Sequence, residues 1–346
     1  MATLYLNRRA TAVSREGEHL VVKQHGSGNV VQSQALPLTD LSSVVVVGEP
    51  SITFPALSCF IQRQIPVSFL SVSGRWRGCI DTNADAYGER HLKQYQTASN
   101  RDFTLPVAKA LLSAKLYNAR RLIQRLAAAR SQTSWVTDED QHHDAQLKWI
   151  AQHLHQCASA NALRGLEGLG AMHYFALLRH FLPEDAGFTK RQRHPAKDPA
   201  NALLSWTYTL LLSELLSILR QHHLDPAIGV LHVNANRAPA LALDLIEPFR
   251  SACADRLVLH LFNHRIIQPQ KHFQRQPSGA LLLNEAGRAT FFNAYETALN
   301  RSFVDPKTGQ NTSLRAALHQ HVQRYLRCLE DFSPNTTPSP TFFHLP

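Results

Sequence analysis

Acidic residues are scarce in this chain: 26 Asp and Glu stand against 36 Lys and Arg in 346 residues, a formal net charge of +10. That balance excludes an acidic solvating tail as the dominant character. It favours a polyanionic partner, either nucleic acid or an anionic membrane face. Charged residues make up only 18% of the chain and apolar residues 44%, which excludes a disordered or fibrous protein. The five cysteines are Cys59, Cys79, Cys157, Cys253 and Cys328. An odd count without a CxxC pair builds neither a disulfide framework nor a structural zinc site and suits a reducing cytoplasm. GxxxxGK and GxGxxG, the motifs of ATP and nicotinamide sites, are both missing. HExxH and internal repeats are missing too. The N-terminal MATLYLNRRA lacks the basic-then-apolar order of a signal peptide.

Long hydrophobic runs are nearly absent as well. The one exception is NALLSWTYTLLLSELLSIL, residues 201–219, close to the length a bilayer requires. It carries Ser205, Thr207, Thr209, Ser213, Glu214 and Ser217, and a mid-bilayer Glu is costly. The segment is therefore read as a buried core helix, with no membrane expected.

What is present divides the chain in two. Residues 1–82 hold short Val-, Leu- and Ile-rich runs (LYLN, HLVVK, VVQSQALPL, SVVVVG, IPVSFLS) broken by turn residues, the pattern of a small β-sandwich-like domain. Residues 52–64 read as a short crossing helix. Residues 83–91 lack an apolar period and read as a linker. A larger all-α domain is expected over 92–330, making the fold α+β and multidomain. In it, Pro106 is placed in a first helical turn, and Lys115, Arg121 and Arg125 are placed away from the apolar face. Further helices are expected over 138–158 and 162–182, from Asp198-Pro199 to about Gln221, over LALDLIEPFR, and near 284–300 and 313–329. The Pro-, Ser- and Thr-rich tail, 331–346, reads as disordered.

Three places carry candidate chemistry. In ALRGLEGLGAMHYF, Glu167 shares a helical face with Leu163, Leu166, Gly170, Ala171 and Tyr174. A carboxylate there must be protonated, ion-paired or metal-bound. Gly165, Gly168 and Gly170 each cost a helix roughly 1 kcal/mol against Ala, which suggests close approach of a backbone or a ligand. His232 ends the apolar GVL, and Asp244 and Glu247 lie three apart on a helix. Taken singly these are a satisfied core His and a solvated acid pair. Taken together, one nitrogen and two or three carboxylates suit Mg²⁺ or Mn²⁺ better than zinc. Finally, Lys190, Arg191, Arg193 and Lys197 crowd TKRQRHPAKDP, which is either a solvated loop or a phosphate clamp. The clusters His142/His143, His153/His155/Cys157 and His260/His264 lack a third or fourth ligand.

Several of these segments, in this order, resemble one known family. LYLN, LPLTDLSSVVVVGEPSITFPAL, IPVSFLSVSGRWRG, ALRGLEGLGAMHYF, KDPANALLSWTYTLL, LDPAIGVLH and APALALDLIEPFR are similar to the universal CRISPR adaptation endonuclease, the integrase subunit that inserts new spacers into a CRISPR array. The resemblance implies that Glu167, His232 and Glu247 are the catalytic ligands of Mg²⁺ or Mn²⁺, with Asp244 an outer or substitute ligand. It implies metal-dependent cleavage and transesterification of double-stranded and branched DNA. Arg164, Lys190, Arg191, Arg193, Lys197 and Arg237 would contact that DNA. It also implies a homodimer formed through the β-domain and a small ferredoxin-like adaptation partner. The alternatives are a non-catalytic or transposon-associated DNA-binding homologue of the same fold.

Overall fold

The computed structural model describes residues 2–7, 11–25, 31–80, 87–130, 137–192, 195–234, 238–305, 308–333 and 336–345. The chain begins with strands β1 (Ala2–Leu6), β2 (Thr11–Glu16), β3 (His19–His25), β4 (Val31–Pro37), β5 (Leu41–Val47) and β6 (Ser51–Ile52). Helix α1 (Phe54–Gln62) crosses over to β7 (Val67–Leu70) and β8 (Trp76–Ile80). One four-stranded sheet has the order β1-β5-β7-β8, with β1, β5 and β7 parallel and β8 antiparallel. The other has the order β4-β3-β2-β6.

The run Val44-Val45-Val46-Val47 is buried at every position, as the strand period requires when both faces of a sheet are covered. Val44 and Val46 pack with Val13, Leu20 and Phe60 between the two sheets. Val45 and Val47 face the other way and, with Leu70, join the core of the helical part.

The helical part comprises α2 (Gly88–Ala98), α3 (Arg101–Ala129), α4 (Asp138–His153), α5 (Ala160–Leu178), α6 (Pro199–Gln221), α7 (Ala240–Phe249), α8 (Arg256–Asn263) and α9 (Pro269–His272). A short hairpin follows, β9 (Phe273–Arg275) with β10 (Leu281–Leu283), then α10 (Glu285–Asn300). A second hairpin, β11 (Ser302–Val304) with β12 (Asn311–Ser313), leads into α11 (Leu314–Asp331). The part read as all-α thus carries two small hairpins.

Local chemistry explains several boundaries. Asp198 caps α6 by accepting from the Asn201 amide at 2.8 Å, with Pro199 in the first turn. Asn284 and Ser313 cap α10 and α11 in the same way. Asn100 caps α3, so Pro106 falls inside that helix rather than in its first turn. Within the expected linker, 83–86 lie outside the described residues, and Gly88 onward is already helical.

The membrane-length helix α6 is mostly buried against the rest of the chain. Its Glu214 is met by Arg315 at 3.0 Å, and Arg315 also pairs with Glu296 at 2.6 Å. The tail differs from the expectation of disorder. Phe342, Phe343 and Leu345 are buried, Phe343 stacks on Phe249 with centroids 4.5 Å apart, and the Leu345 amide donates to Asn118 Oδ1 at 2.6 Å. Its composition hid three apolar residues at the end, and their burial outweighs the cost of ordering the segment.

Candidate active site

Two helices that cross α3 bring Glu167 and Glu247 to one ammonium. Lys115 Nζ lies 2.7 Å from Glu247 Oε2 and donates a hydrogen bond to Glu167 Oε1. The sequence reading placed Lys115 away from the apolar face. In fact it sits one turn from both buried Leu111 and buried Ala119, and its side chain is only 14% exposed. That i±4 spacing was the available signal. The ion-paired reading of Glu167 is therefore realised, with Lys115 as the partner.

Glu247 is the more buried of the two carboxylates. Burial pushes its pKa up, but Arg250 and Lys115 beside it outweigh burial and hold it at about 2. Arg250 Nε donates to Glu247 Oε1 at 3.0 Å. Glu247 Oε2 has Lys115 within ion-pair distance yet no well-directed hydrogen bond. The short separation carries the electrostatic attraction without the direction of an ideal hydrogen bond.

His232 reaches the site by a different route. The backbone amides of Val230, Leu231 and His232 donate to the carboxylate of Asp244 at 2.6, 2.9 and 2.8 Å. His232 Nδ1 meets the same carboxylate at 2.6 Å. A carboxylate only accepts, so Nδ1 carries a proton, and in the neutral imidazole Nε2 is the atom with the lone pair. Asp244 is completely buried, with each oxygen taking two donors. Asp244, expected as an outer or substitute ligand, here orients the imidazole while accepting from three backbone amides.

Gly229 is required here, because a Cβ would lie 2.5 Å from Asp244 Oδ2. Gln94 of α2 grips the same loop through the Asp225 amide and the carbonyls of Asp225 and Ile228. Arg164, expected to contact DNA, donates to the Leu231 carbonyl at 2.7 Å and to Asn161, tying α5 to the His232 loop.

The glycines of α5 divide. A Cβ at Gly170 would lie 3.0 Å from Leu116, so this residue lets α3 and α5 approach. At Gly165 and Gly168 no atom of the chain itself comes within 4 Å of an added Cβ, so the close approach within the chain is at Gly170.

A second network flanks the cleft. Asp255 is fully buried and accepts from Tyr208 at 2.5 Å and from Tyr174 at 2.7 Å. Burial pushes its pKa up to about 6 against the pull of the two hydroxyls, Arg191 and Arg250. Arg250 also lies over the Tyr208 ring, 4.7 Å from the centroid. The Asp255–Tyr208–Arg250–Glu247 chain supports the carboxylate from behind. Sequence reading missed it, because its members lie on three segments.

The basic loop divides similarly. Lys190 and Lys197 are exposed. Arg191 is committed to Asn201 at 2.9 Å, Ser205 at 3.0 Å and the Tyr208 ring, so it braces α6. Arg193 and Arg237 lie outside the described residues.

The donor set fits a hard divalent ion. Two convergent carboxylates already share one cation, one of their oxygens is buried without a hydrogen bond, and an imidazole close enough to act on Glu247 holds its Nε2 lone pair. Among the described residues, however, three such side chains do not form a ready-made coordination shell. Lys115 occupies the position between the carboxylates.

The family model described as CRISPR associated protein Cas1 matches residues 4–297. A relative from Chlorobaculum tepidum, named CRISPR-associated endonuclease Cas1 1, is 31% identical over 342 residues, covering 96% of this chain and 97% of the relative. Among solved structures, a casposase bound to integration product is similar with a TM-score of 0.85 at 21% identity, over 100% of this chain and 95% of that one. A Cas6-RT-Cas1–Cas2 complex is similar with a TM-score of 0.78 at 24% identity, over 95% of this chain and 35% of that one. At those identities the two structures show a shared fold.

Proposed function

This chain belongs to the CRISPR-associated protein Cas1 family, and from that membership we propose that it is a divalent-metal-dependent DNA nuclease and integrase of CRISPR adaptation. The observation that carries the reading is the convergence of Glu167 and Glu247 on one cationic position beside His232. Glu167, His232 and Glu247 would hold Mg²⁺ or Mn²⁺. The ion would supply charge neutralisation at a scissile phosphate.

The chain's own residues set the rest. Arg250 and Lys115 keep Glu247 ionised in a buried position. Asp244 fixes the His232 tautomer, so that Nε2 presents its lone pair. The Asp255–Tyr208–Arg250 support limits how far Glu247 can move, which is what phosphoryl transfer requires of groups that position charge. In integration the attacking group is the 3′-hydroxyl of the incoming DNA. One P–O bond forms, another breaks, and the released 3′-oxygen takes up a proton. Water in place of that hydroxyl gives cleavage.

A homodimer through the β-domain, a small ferredoxin-like partner, double-stranded and branched DNA as substrate, and a cytoplasmic setting complete the proposal. The basic excess, the free thiols of all five cysteines and the likeness to the Cas1–Cas2 complex support it.

The test is an integration assay with and without the small partner, with EDTA as control. Glu167→Gln, Glu247→Gln and His232→Ala should each abolish strand transfer while circular dichroism and melting show an intact fold. Full activity in any of the three refutes the assignment.

A further inference from the structure

The helix itself gives the Glu247 end of α7 less support than a regular turn would. Pro248 lies inside that helix and has no N–H, so it cannot make the bond a helix would direct to the Asp244 carbonyl. From Arg250 to Asp255 the chain then runs as a π-helix, a rare form found mostly as single turns. The missing support comes from a segment almost a hundred residues on, Phe342–Leu345, past the residues that match the family model.

Asn118 makes the connection. It lies three residues after Lys115 on α3 and is fully buried. Its amide nitrogen donates to the Pro248 carbonyl at 2.7 Å and to the Phe343 carbonyl at 3.1 Å, and its oxygen accepts from the Leu345 amide at 2.6 Å. One side chain thus joins α3, α7 and the segment. It meets the segment as a neighbouring strand would, through one residue's carbonyl and the amide two positions further on. The second anchor is aromatic. Phe343 stacks on fully buried Phe249 with centroids 4.5 Å apart and planes 10° from parallel, and His321 of α11 meets the Phe249 ring edge-on at 5.1 Å. Pro248 and Phe249 are the two residues between Glu247 and Arg250, so both anchors act on the stretch that carries the Glu247–Arg250 pair.

The path leading to these anchors is of another character. Among the described residues between α11 and Phe342, none is in a helix or strand and none is buried. The anchors rather than the path hold the segment, and a unit held in this way opens locally without the helices unfolding.

We propose that Phe342–Leu345 is a separable strap that sets the Glu247 end of α7 for strand transfer, with Asn118 and Phe343 as its positioning residues. The inference rests on the reading of Glu247 as a catalytic ligand. With the strap seated, the Pro248 carbonyl and the Phe249 ring are fixed, and the carboxylate between Lys115 and Arg250 is held with them. With the strap released, Glu247 keeps its charge partners and loses its set position.

Phe343→Ala, Phe343→Leu and Glu247→Gln are compared in the full chain. Hydrogen exchange at the Leu345 amide reads the seat, and an integration assay over a range of DNA and Mn²⁺ concentrations reads kcat, KM and the metal requirement. In Phe343→Ala the Leu345 amide should exchange roughly a hundred-fold faster while amides of α6 keep their protection. Its kcat should fall roughly ten-fold or more, its KM for DNA should stay within about two-fold, and half-maximal activity should need more Mn²⁺. Phe343→Leu keeps an apolar anchor and should recover both the protection and the rate. Glu247→Gln should abolish transfer with the Leu345 amide still protected. The strap is overturned by a parental kcat in Phe343→Ala with the amide exposed, by parental protection in that variant, or by loss of α6 protection, which would make the segment part of the global core. Full transfer in Glu247→Gln overturns it through the catalytic reading beneath it, and the exchange data tell the two failures apart.

Discussion

Lys115 Nζ sits 2.7 Å from Glu247 Oε2 while also contacting Glu167, so the positive charge between the two carboxylates belongs to the chain itself. A dication held by Glu167 and Glu247, as proposed, would compete with this ammonium for the same oxygens. Lys115→Met removes the internal competitor and leaves Glu247 uncompensated on that side. In EDTA the variant should lose roughly 3 kcal/mol of stability. Millimolar Mn²⁺ should raise its melting temperature more than it raises that of the parent. Equal metal-induced shifts in the two proteins would show that the ion does not take the ammonium's position.

Asp244 serves His232 and three backbone amides at once. Asp244→Asn turns one acceptor into a donor that faces other donors, and no rotation of the amide removes the conflict. The variant should be less stable than His232→Ala and should lose about 10- to 100-fold in metal affinity. Denaturant unfolding and metal titration check both. A metal affinity equal to the parent's would show that the imidazole needs no such support.

Asp255 gives a pH signature. Its folded pKa is about 6 against an ordinary 3.8, so its proton is bound more tightly in the folded state. That contribution is fully present below pH 4 and is lost as pH rises through 6. In Asp255→Asn it vanishes, so the variant's stability relative to the parent should rise by up to about 3 kcal/mol between pH 4 and pH 7. Urea unfolding at four pH values measures it, and a difference independent of pH contradicts it.

The basic loop should separate into two behaviours. Lys190→Gln/Lys197→Gln should weaken DNA binding and reduce the slope of log K against log salt by roughly two, about one per phosphate contact. Arg191→Gln should instead lower the melting temperature, because Asn201, Ser205 and Tyr208 lose their partner. An unchanged salt slope in the lysine double variant removes the loop from the DNA path.

Much of this molecule was legible one residue at a time. The caps at Asp198, Asn284 and Ser313 act within three residues of the helices they start, and the alternation of the Val44–Val47 run is local too. An out-of-place carboxylate at Glu167 was visible against its apolar stripe. The partners of Arg164, Arg191 and Asp244 within the chain were not legible, because a polar side chain's sequence neighbours do not reveal which buried donor or carbonyl it must satisfy.

The order of its motifs and the periodicity of its helices are properties of the sequence alone, since they depend on interactions within a turn or two of each residue. The meeting of Lys115, Glu167 and Glu247 was decided only in three dimensions. So was the docking of Phe342, Phe343 and Leu345 against the core. These contacts join segments far apart in the chain. Their energies come from burial and from charges brought together in a low-dielectric interior, which exist only once the helices have packed.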